Sequence, residues 1–169
     1  MSKSARRVAG EALSAVKRAL YRGGRPSRAM KVVLKLDAWL YAKGLTVPQG
    51  GVLRVPGRRS GKPTAVPIAI ADVGAEEYLV SMLGPEANWV RNVEANGRRA
   101  VISRRKKDVE VLLEEIPVAD RAPILQRYAA IAPGARPHLG VGARPTLEQC
   151  EAIASAHPVY RIKQGAARP

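Results

Sequence analysis

The stretch VLRVPGRRSGKPTAVPIAIADVGAEEYLV (residues 52–80) carries the main signal for the fold, because short apolar runs alternate there with tight turns. Residues 51–55, 65–71 and 78–83 have the composition of β-strands, and glycine and proline lie between them. Strands joined by such short turns pair antiparallel, since a parallel pair needs a long crossover. The pattern predicts an antiparallel barrel or α+β sheet and not a doubly wound parallel sheet.

The remainder of the chain adds helices and further strands around this segment. Periodic apolar positions predict helices over residues 5–21, 27–43, 86–95, 118–131 and 146–154. Further strands are predicted over residues 99–104, 109–116 and 159–162, and a proline- and glycine-rich loop over 133–145. We therefore expect an N-terminal amphipathic helical segment, residues 1–43, followed by a barrel domain, residues 44–169.

Length and composition favour a cytoplasmic protein. The 169 residues suit one ordinary domain, and 46% of them are hydrophobic, enough for a core. The chain has no Phe, so the core is expected to be mainly aliphatic. No apolar run is long enough to span a bilayer, the N-terminus lacks a secretory pattern, and the single Cys150 excludes an internal disulfide. With only two histidines and one cysteine, a structural zinc site is not expected.

The net charge of +15 indicates either an anionic partner or a solubilising surface. The partner would be a nucleic acid, an anionic lipid or a phosphorylated small molecule. Two basic clusters, residues 54–62 and 98–107, contain no aromatic side chain on which bases would stack. This composition argues against a nucleic-acid partner.

The turn GRRSGKP, residues 57–63, is the best local candidate for a binding site. Glycines permit a tight turn and close approach of a ligand, Ser60 and free N–H groups offer donors, and three cationic side chains supply charge. The spacing is neither that of a P-loop nor that of a dinucleotide-binding loop. The turn is therefore interpreted as a phosphate cradle or, alternatively, as a solvated basic hairpin.

A second candidate begins where the third strand ends. Ser81 follows an apolar run, and Trp89 and Asn92 lie three residues apart on the next short helix. This group could border a flat heteroaromatic ligand, or Trp89 could be a core anchor and Asn92 a helix cap. Downstream, Glu110, Glu114 and Glu115 are interpreted as surface charge at a strand edge.

In their order and spacing, residues 52–97 resemble the deazaflavin-dependent nitroreductase family of actinobacteria. Members share a Gly-Arg-(Arg/Lys)-(Ser/Thr)-Gly-x-Pro turn, a strand that ends in Ser, and a downstream Trp-x-x-Asn followed by Ala-Asn. The matching residues here are Gly57 to Pro63, Ser81, Trp89 with Asn92, and Ala95-Asn96.

The resemblance implies a split β-barrel of the flavin-mononucleotide-binding type and the cofactor coenzyme F420, an 8-hydroxy-5-deazaflavin with a phosphate and a glutamate tail. It implies that the phosphate and tail are held by Arg54, Gly57, Arg58, Arg59, Ser60, Gly61, Lys62 and Pro63. The ring would be bordered by Val80, Ser81, Met82, Trp89 and Asn92, with Ser81 as the catalytic residue. Flavin mononucleotide is the less favoured cofactor.

The function expected from these observations is F420-dependent reduction of a conjugated, lipophilic small molecule such as a quinone or an enone, with a homodimer as a further expectation. The alternative is a fatty-acid- or lipid-binding protein on the same barrel. In that alternative, the basic helix at residues 1–22 would lie on the inner face of the cell membrane. The same helix could instead pack on the barrel.

Overall fold

A computed structural model of the chain describes residues 21–22, 25–26, 49–104 and 107–164. The chain divides into two units, residues 1–36 and 37–169. In the first unit, strand β1 (Tyr21–Arg22) pairs antiparallel with strand β2 (Arg25–Pro26). The helix predicted over residues 5–21 is therefore wrong at Tyr21, which pairs with Pro26; the rest of that helix and the helix at 27–43 lie outside the described residues.

Six strands of the second unit form a closed barrel, in the order β3-β4-β5-β8-β7-β6. All neighbouring pairs are antiparallel. The strands are β3 (Gly50–Pro56), β4 (Pro63–Val73), β5 (Glu76–Val80), β6 (Arg99–Arg104), β7 (Lys107–Glu115) and β8 (Val159–Gln164). The predicted α+β, mainly antiparallel barrel is confirmed.

All barrel strands except β6 differ from their predicted limits, and β4 and β5 differ most. β4 extends to Val73, because it pairs with β5 as far as Val73 opposite Glu76. β5 ends at Val80 and not at residue 83, because the Ser81 hydroxyl donates to the Gly84 carbonyl oxygen at 2.7 Å and the chain turns there.

Within residues 49–164, the described helices are α1 (Asn88–Ala95), α2 (Ala122–Ile131), α3 (Arg136–Leu139) and α4 (Leu147–Ile153). A 3-10 turn at Val118–Asp120 replaces the first turn of the helix predicted over 118–131. Helix α3 lies inside the segment predicted as a loop. Helix α4 begins with a capping box, because Thr146 and Gln149 each accept from the other's backbone N–H. Among the described helices, none is both long and apolar enough to cross a membrane.

The core consists of two clusters on opposite sides of the barrel wall. Inside the barrel, aliphatic side chains such as Leu53, Ile70 and Leu113 pack against Val90 and Val93 of α1. The second cluster lies between the outer surface of the barrel and helices α2, α3 and α4; it includes Tyr78, Val80, Leu125, Tyr128, Cys150 and Val159. Helix α1 therefore belongs to the barrel interior, and the later helices cover one outer face.

A buried arginine joins that outer layer to the barrel. Arg121 is 5% exposed, and its guanidinium donates to the carbonyl oxygens of Ile116 (2.8 Å) and Ala154 (3.1 Å). It also forms an ion pair with Glu115 at 2.9 Å. One side chain at the start of α2 thus satisfies acceptors just after β7 and just after α4.

Replacing Arg121 with Met should lower the free energy of unfolding by about 3–5 kcal/mol, because buried acceptors lose their charged donor. Arg127→Met is the matched control, since Arg127 also pairs with an acid, Asp72, at 2.8 Å but in an exposed position. The control should cost less than about 1 kcal/mol. Urea unfolding of both variants gives the comparison, and equal costs would contradict the assignment.

Candidate functional site

The basic turn at residues 57–62 closes on itself through backbone hydrogen bonds. The N–H of Gly57 donates to the carbonyl oxygen of Lys62 at 2.8 Å, and the N–H of Gly61 donates to that of Gly57 at 2.8 Å. Gly61 has φ +65°, a conformation that favours glycine. A side chain at Gly57 would lie 3.2 Å from the Lys62 carbonyl oxygen. Both glycines are therefore required by the shape of the turn.

Asn92 holds this turn against α1. Its side chain is 4% exposed, and its Oδ1 accepts from the Arg58 backbone N–H (3.2 Å) and from Arg58 Nη1 (3.0 Å). Its amide nitrogen donates to Thr64 Oγ1 at 3.4 Å, and Thr64 in turn donates to the Val55 carbonyl oxygen. Asn92 therefore fixes the direction of the Arg58 side chain.

Side chains, and not backbone N–H groups, offer the donors of this turn. The N–H groups of Gly57, Ser60, Gly61 and Lys62 already donate within the turn, and that of Arg58 donates to Asn92. The expectation of free N–H groups is wrong for these five positions. The exposed cations remain: Arg58, Arg59 and Lys62. Within the described part of the chain, no carboxylate pairs with Arg58.

The loop after β5 is fixed from the other side. Ser81 is fully buried; its N–H donates to the Pro158 carbonyl oxygen at 2.9 Å, and its own carbonyl oxygen lies 3.0 Å from His157 Nδ1. Because the Ser81 hydroxyl donates to Gly84, it shapes the loop that carries Pro85. The predicted catalytic role of Ser81 stays a prediction.

A cavity of about 490 Å³ lies beside the basic turn. Its charged lining consists of Arg58, Arg91, Glu94 and Glu115, and its other lining consists of Pro85, Val90, Pro158 and Tyr160. The volume falls in the range of small-molecule sites, and the mixture of apolar walls with a few charged groups is typical of them.

The two acids of the cavity belong to one chain of charged hydrogen bonds. Arg98 donates to Glu94 at 3.0 Å and to Glu115 at 3.3 Å. The Tyr160 hydroxyl donates to Glu94 at 3.0 Å, and Arg121 donates to Glu115 at 2.9 Å. The hydrogen bond that Arg98 donates to Glu94 raises the pKa of Arg98. Burial is the main cause that raises the pKa of Tyr160, and the nearby Glu94 carboxylate raises it further. At neutral pH both acids are therefore compensated, and Tyr160 is a neutral donor.

The structure brings some of the predicted site residues together and separates others. Arg58 and Asn92 meet, and Arg59, Ser60, Lys62 and Pro63 flank them on the turn and the start of β4. Arg54 points from β3 toward Asp108 and lines a different cavity. Val80 and Met82 pack in the outer cluster. Trp89 packs on the barrel core, with its ring 5.7 Å from that of Tyr160 in an edge-on arrangement.

Of the residues that line the cavity, sequence reasoning predicted only Arg58 as a site residue. The residues of the cavity and its support that it missed include the charged and hydrogen-bonding groups Glu94, Arg98, Glu115 and Tyr160. The interpretation of Glu115 as surface charge is wrong, because it is half-buried and accepts from buried Arg121. Arg98 carried one signal, its position directly after Asn96-Gly97 at the end of α1. Tyr160 carried none beyond its place in a predicted strand, since its partners are distant in sequence.

One family of known proteins matches the sequence of this chain. The sequence profile of the F420H2-dependent quinone reductase family matches residues 41–139. No curated protein matches the chain.

One solved structure shares the fold of this chain, and a second has a lower TM-score. A protein of unknown function from Agrobacterium tumefaciens is 14% identical, with a TM-score of 0.51, over 83% of this chain and 57% of that one. An F420-H2 dependent reductase is 17% identical, with a TM-score of 0.48, over 69% of this chain and 95% of that one.

The backbone of Arg98 has φ +62°, in the left-handed region that disfavours side chains. Arg98→Ala should remove the two ion pairs but keep the cost of the left-handed backbone. Arg98→Gly should remove the ion pairs and that cost as well. We expect the Gly variant to be more stable than the Ala variant by about 1 kcal/mol in urea unfolding. An Ala variant at least as stable as the Gly variant would show that the conformation carries no cost.

Proposed function

The chain belongs to the F420H2-dependent quinone reductase family, and we propose that it transfers hydride from reduced coenzyme F420 to a conjugated acceptor such as a quinone or an enone. The family uses F420H2 as its reductant. The observation that carries the proposal is Arg58: its guanidinium, directed by a neutral amide, borders a cavity of about 490 Å³.

The residues present fit this cofactor. A phosphate with a glutamate tail is multiply anionic, and the turn offers three exposed cations: Arg58, Arg59 and Lys62. A ring system needs apolar walls, which Pro85, Val90 and Pro158 provide beside Arg58. Flavin mononucleotide has a single phosphate and no tail, so the same turn would hold it with fewer charged contacts.

When bound, the reduced deazaflavin supplies the hydride, and the protein supplies position and surroundings. Asn92 holds Arg58, which would fix the anionic part at the edge of the cavity. The loop closed by Ser81 places Pro85, and Pro158 lies behind it, so the reacting parts would meet between apolar walls with reduced access of water.

The alternative of a lipid-binding protein rests on residues 1–22. Of these, only Tyr21 and Arg22 lie in the described part of the chain, and no contact there favours lipid. The cavity beside the basic turn favours the reductase.

Replacing Arg58 with Ala should weaken binding of F420 by about 1.5–3 kcal/mol, the cost of a lost hydrogen bond between charged groups. Lys62→Ala should have a smaller effect, since that ammonium is exposed and screened by salt. Absorbance titration of purified protein measures both, with flavin mononucleotide as a comparison ligand.

Arg144→Ala is the charge-matched control, because Arg144 is exposed in the loop between α3 and α4. It should bind F420 like the wild type. If Arg58→Ala also binds like the wild type, the turn does not hold the anionic part of the cofactor.

Asn92→Asp separates the charge of Arg58 from its position. The carboxylate keeps both acceptor contacts with Arg58 but cancels its positive charge, so F420 affinity should fall about tenfold. It also removes the amide that donates to Thr64, so the melting temperature should fall as well, and affinity is compared on folded protein. Asn92→Ala should instead lower stability by about 1–3 kcal/mol, because buried donors lose their acceptor. Unchanged affinity in the Asp variant would exclude Arg58 as the anion-binding group.

A further inference from the structure

The cavity has two sides of opposite chemistry. On one side lies Arg58 of the basic turn, and on the other lie Glu94 of α1 and Glu115 at the end of β7. The remaining cation of the lining, Arg91, is paired with Glu86. Arg58 is therefore the lining cation that remains available to a ligand.

The cations that compensate the two acids lie behind them. Arg98 and Arg121 bind Glu94 and Glu115, but neither arginine is among the described residues that line the cavity. A ligand at this wall therefore meets carboxylate oxygens, which only accept hydrogen bonds when ionised. The Tyr160 hydroxyl does not change this, since its proton is directed to Glu94.

We propose that Glu94 and Glu115 determine acceptor specificity: they admit uncharged acceptors that carry a hydroxyl or N–H donor and reject acceptors that carry a carboxylate. The inference rests on the proposed function, in which the anionic part of F420 occupies Arg58. Once Arg58 is occupied, a second anion in the cavity has no free cation among the lining residues and faces two carboxylates.

The energetic reason is electrostatic. Two like charges a few ångströms apart near a protein surface repel each other, and the guanidinium groups of Arg98 and Arg121 behind the two acids reduce this repulsion. An uncharged ligand avoids the repulsion, and a hydroxyl donor gains a charge-assisted hydrogen bond. The expected preference is about tenfold or more.

The test uses two 1,4-naphthoquinones with the same ring, one with a hydroxymethyl and one with a carboxymethyl substituent. Their dissociation constants are measured by calorimetry on protein saturated with oxidised F420, which cannot react with an oxidised quinone. The wild type should bind the hydroxymethyl probe at least about tenfold more tightly. Steady-state kcat/KM for the two probes with F420H2 should show the same order.

Glu94→Gln should reduce the preference to about threefold or less, since the amide removes the charge and still accepts from Tyr160. Glu115→Gln is the second variant. Glu110→Gln is the matched control: it removes the same charge from β7, but Glu110 is exposed and lines a different cavity. The control should keep the full preference. Melting temperatures verify that each variant is folded.

Equal or tighter binding of the carboxymethyl probe by the wild type would overturn the proposal, as would an unchanged preference in Glu94→Gln. The absorbance titration with F420 tests the proposed function separately. If F420 does not bind, the two probes are titrated into cofactor-free Arg58→Ala protein, where the same preference is expected. The proposed selection of acceptors by Glu94 and Glu115 is therefore tested independently of cofactor binding.

Discussion

Arg98 joins α1 to β7 both through its backbone, which bonds to Val93 and Leu113, and through its side chain. Its guanidinium lies between Glu94 of α1 and Glu115 of β7, and these acids in turn accept from Tyr160 of β8 and from buried Arg121. Charged hydrogen bonds in such a chain reinforce one another, since each partner polarises the next. The left-handed backbone at Arg98 opposes this arrangement locally, and the paired acids offset that cost. The inner wall of the cavity has its shape because this chain fixes both of its acids.

Helix α1 links that wall to the basic turn. Val90 and Val93 pack in the barrel interior, so the helix has little freedom to rotate. From the same helix, Asn92 reaches the turn and Glu94 reaches Arg98. A side chain that is positioned by core packing transmits that order to the groups it binds, and here one eight-residue helix orders a cationic and an anionic group. The two sides of the cavity are therefore fixed relative to each other by apolar packing.

The fold could be predicted from local pattern more completely than the site. Short apolar strands, tight turns and the aliphatic composition predict an antiparallel barrel. The turn at residues 57–63 can be recognised in the sequence by its glycines and its cationic residues. Which strands close the barrel could not be predicted, because Leu79 of β5 pairs with Tyr160 of β8, far along the chain. The acidic side of the cavity, Glu94 and Glu115, could not be predicted for the same reason. Nothing in the local sequence distinguishes these two residues from surface acids, and only tertiary structure places Arg98 between them. Both Asn92 and Arg58 were predicted as site residues, but the contact between them was not.

The distribution of charge explains how a chain of net charge +15 could serve the neutral acceptor proposed above. Excess positive charge attracts an anionic cofactor from a distance, within the roughly 8–10 Å over which salt leaves a field effective. At contact distance other rules apply, because several described arginines are paired with acids, as Arg104 is with Glu77 and Arg127 is with Asp72. Arg58 differs because its partner is an amide, which directs the guanidinium without neutralising it. Long-range attraction therefore depends on the sum of all charges. Local selectivity depends on which cationic side chains have no carboxylate partner.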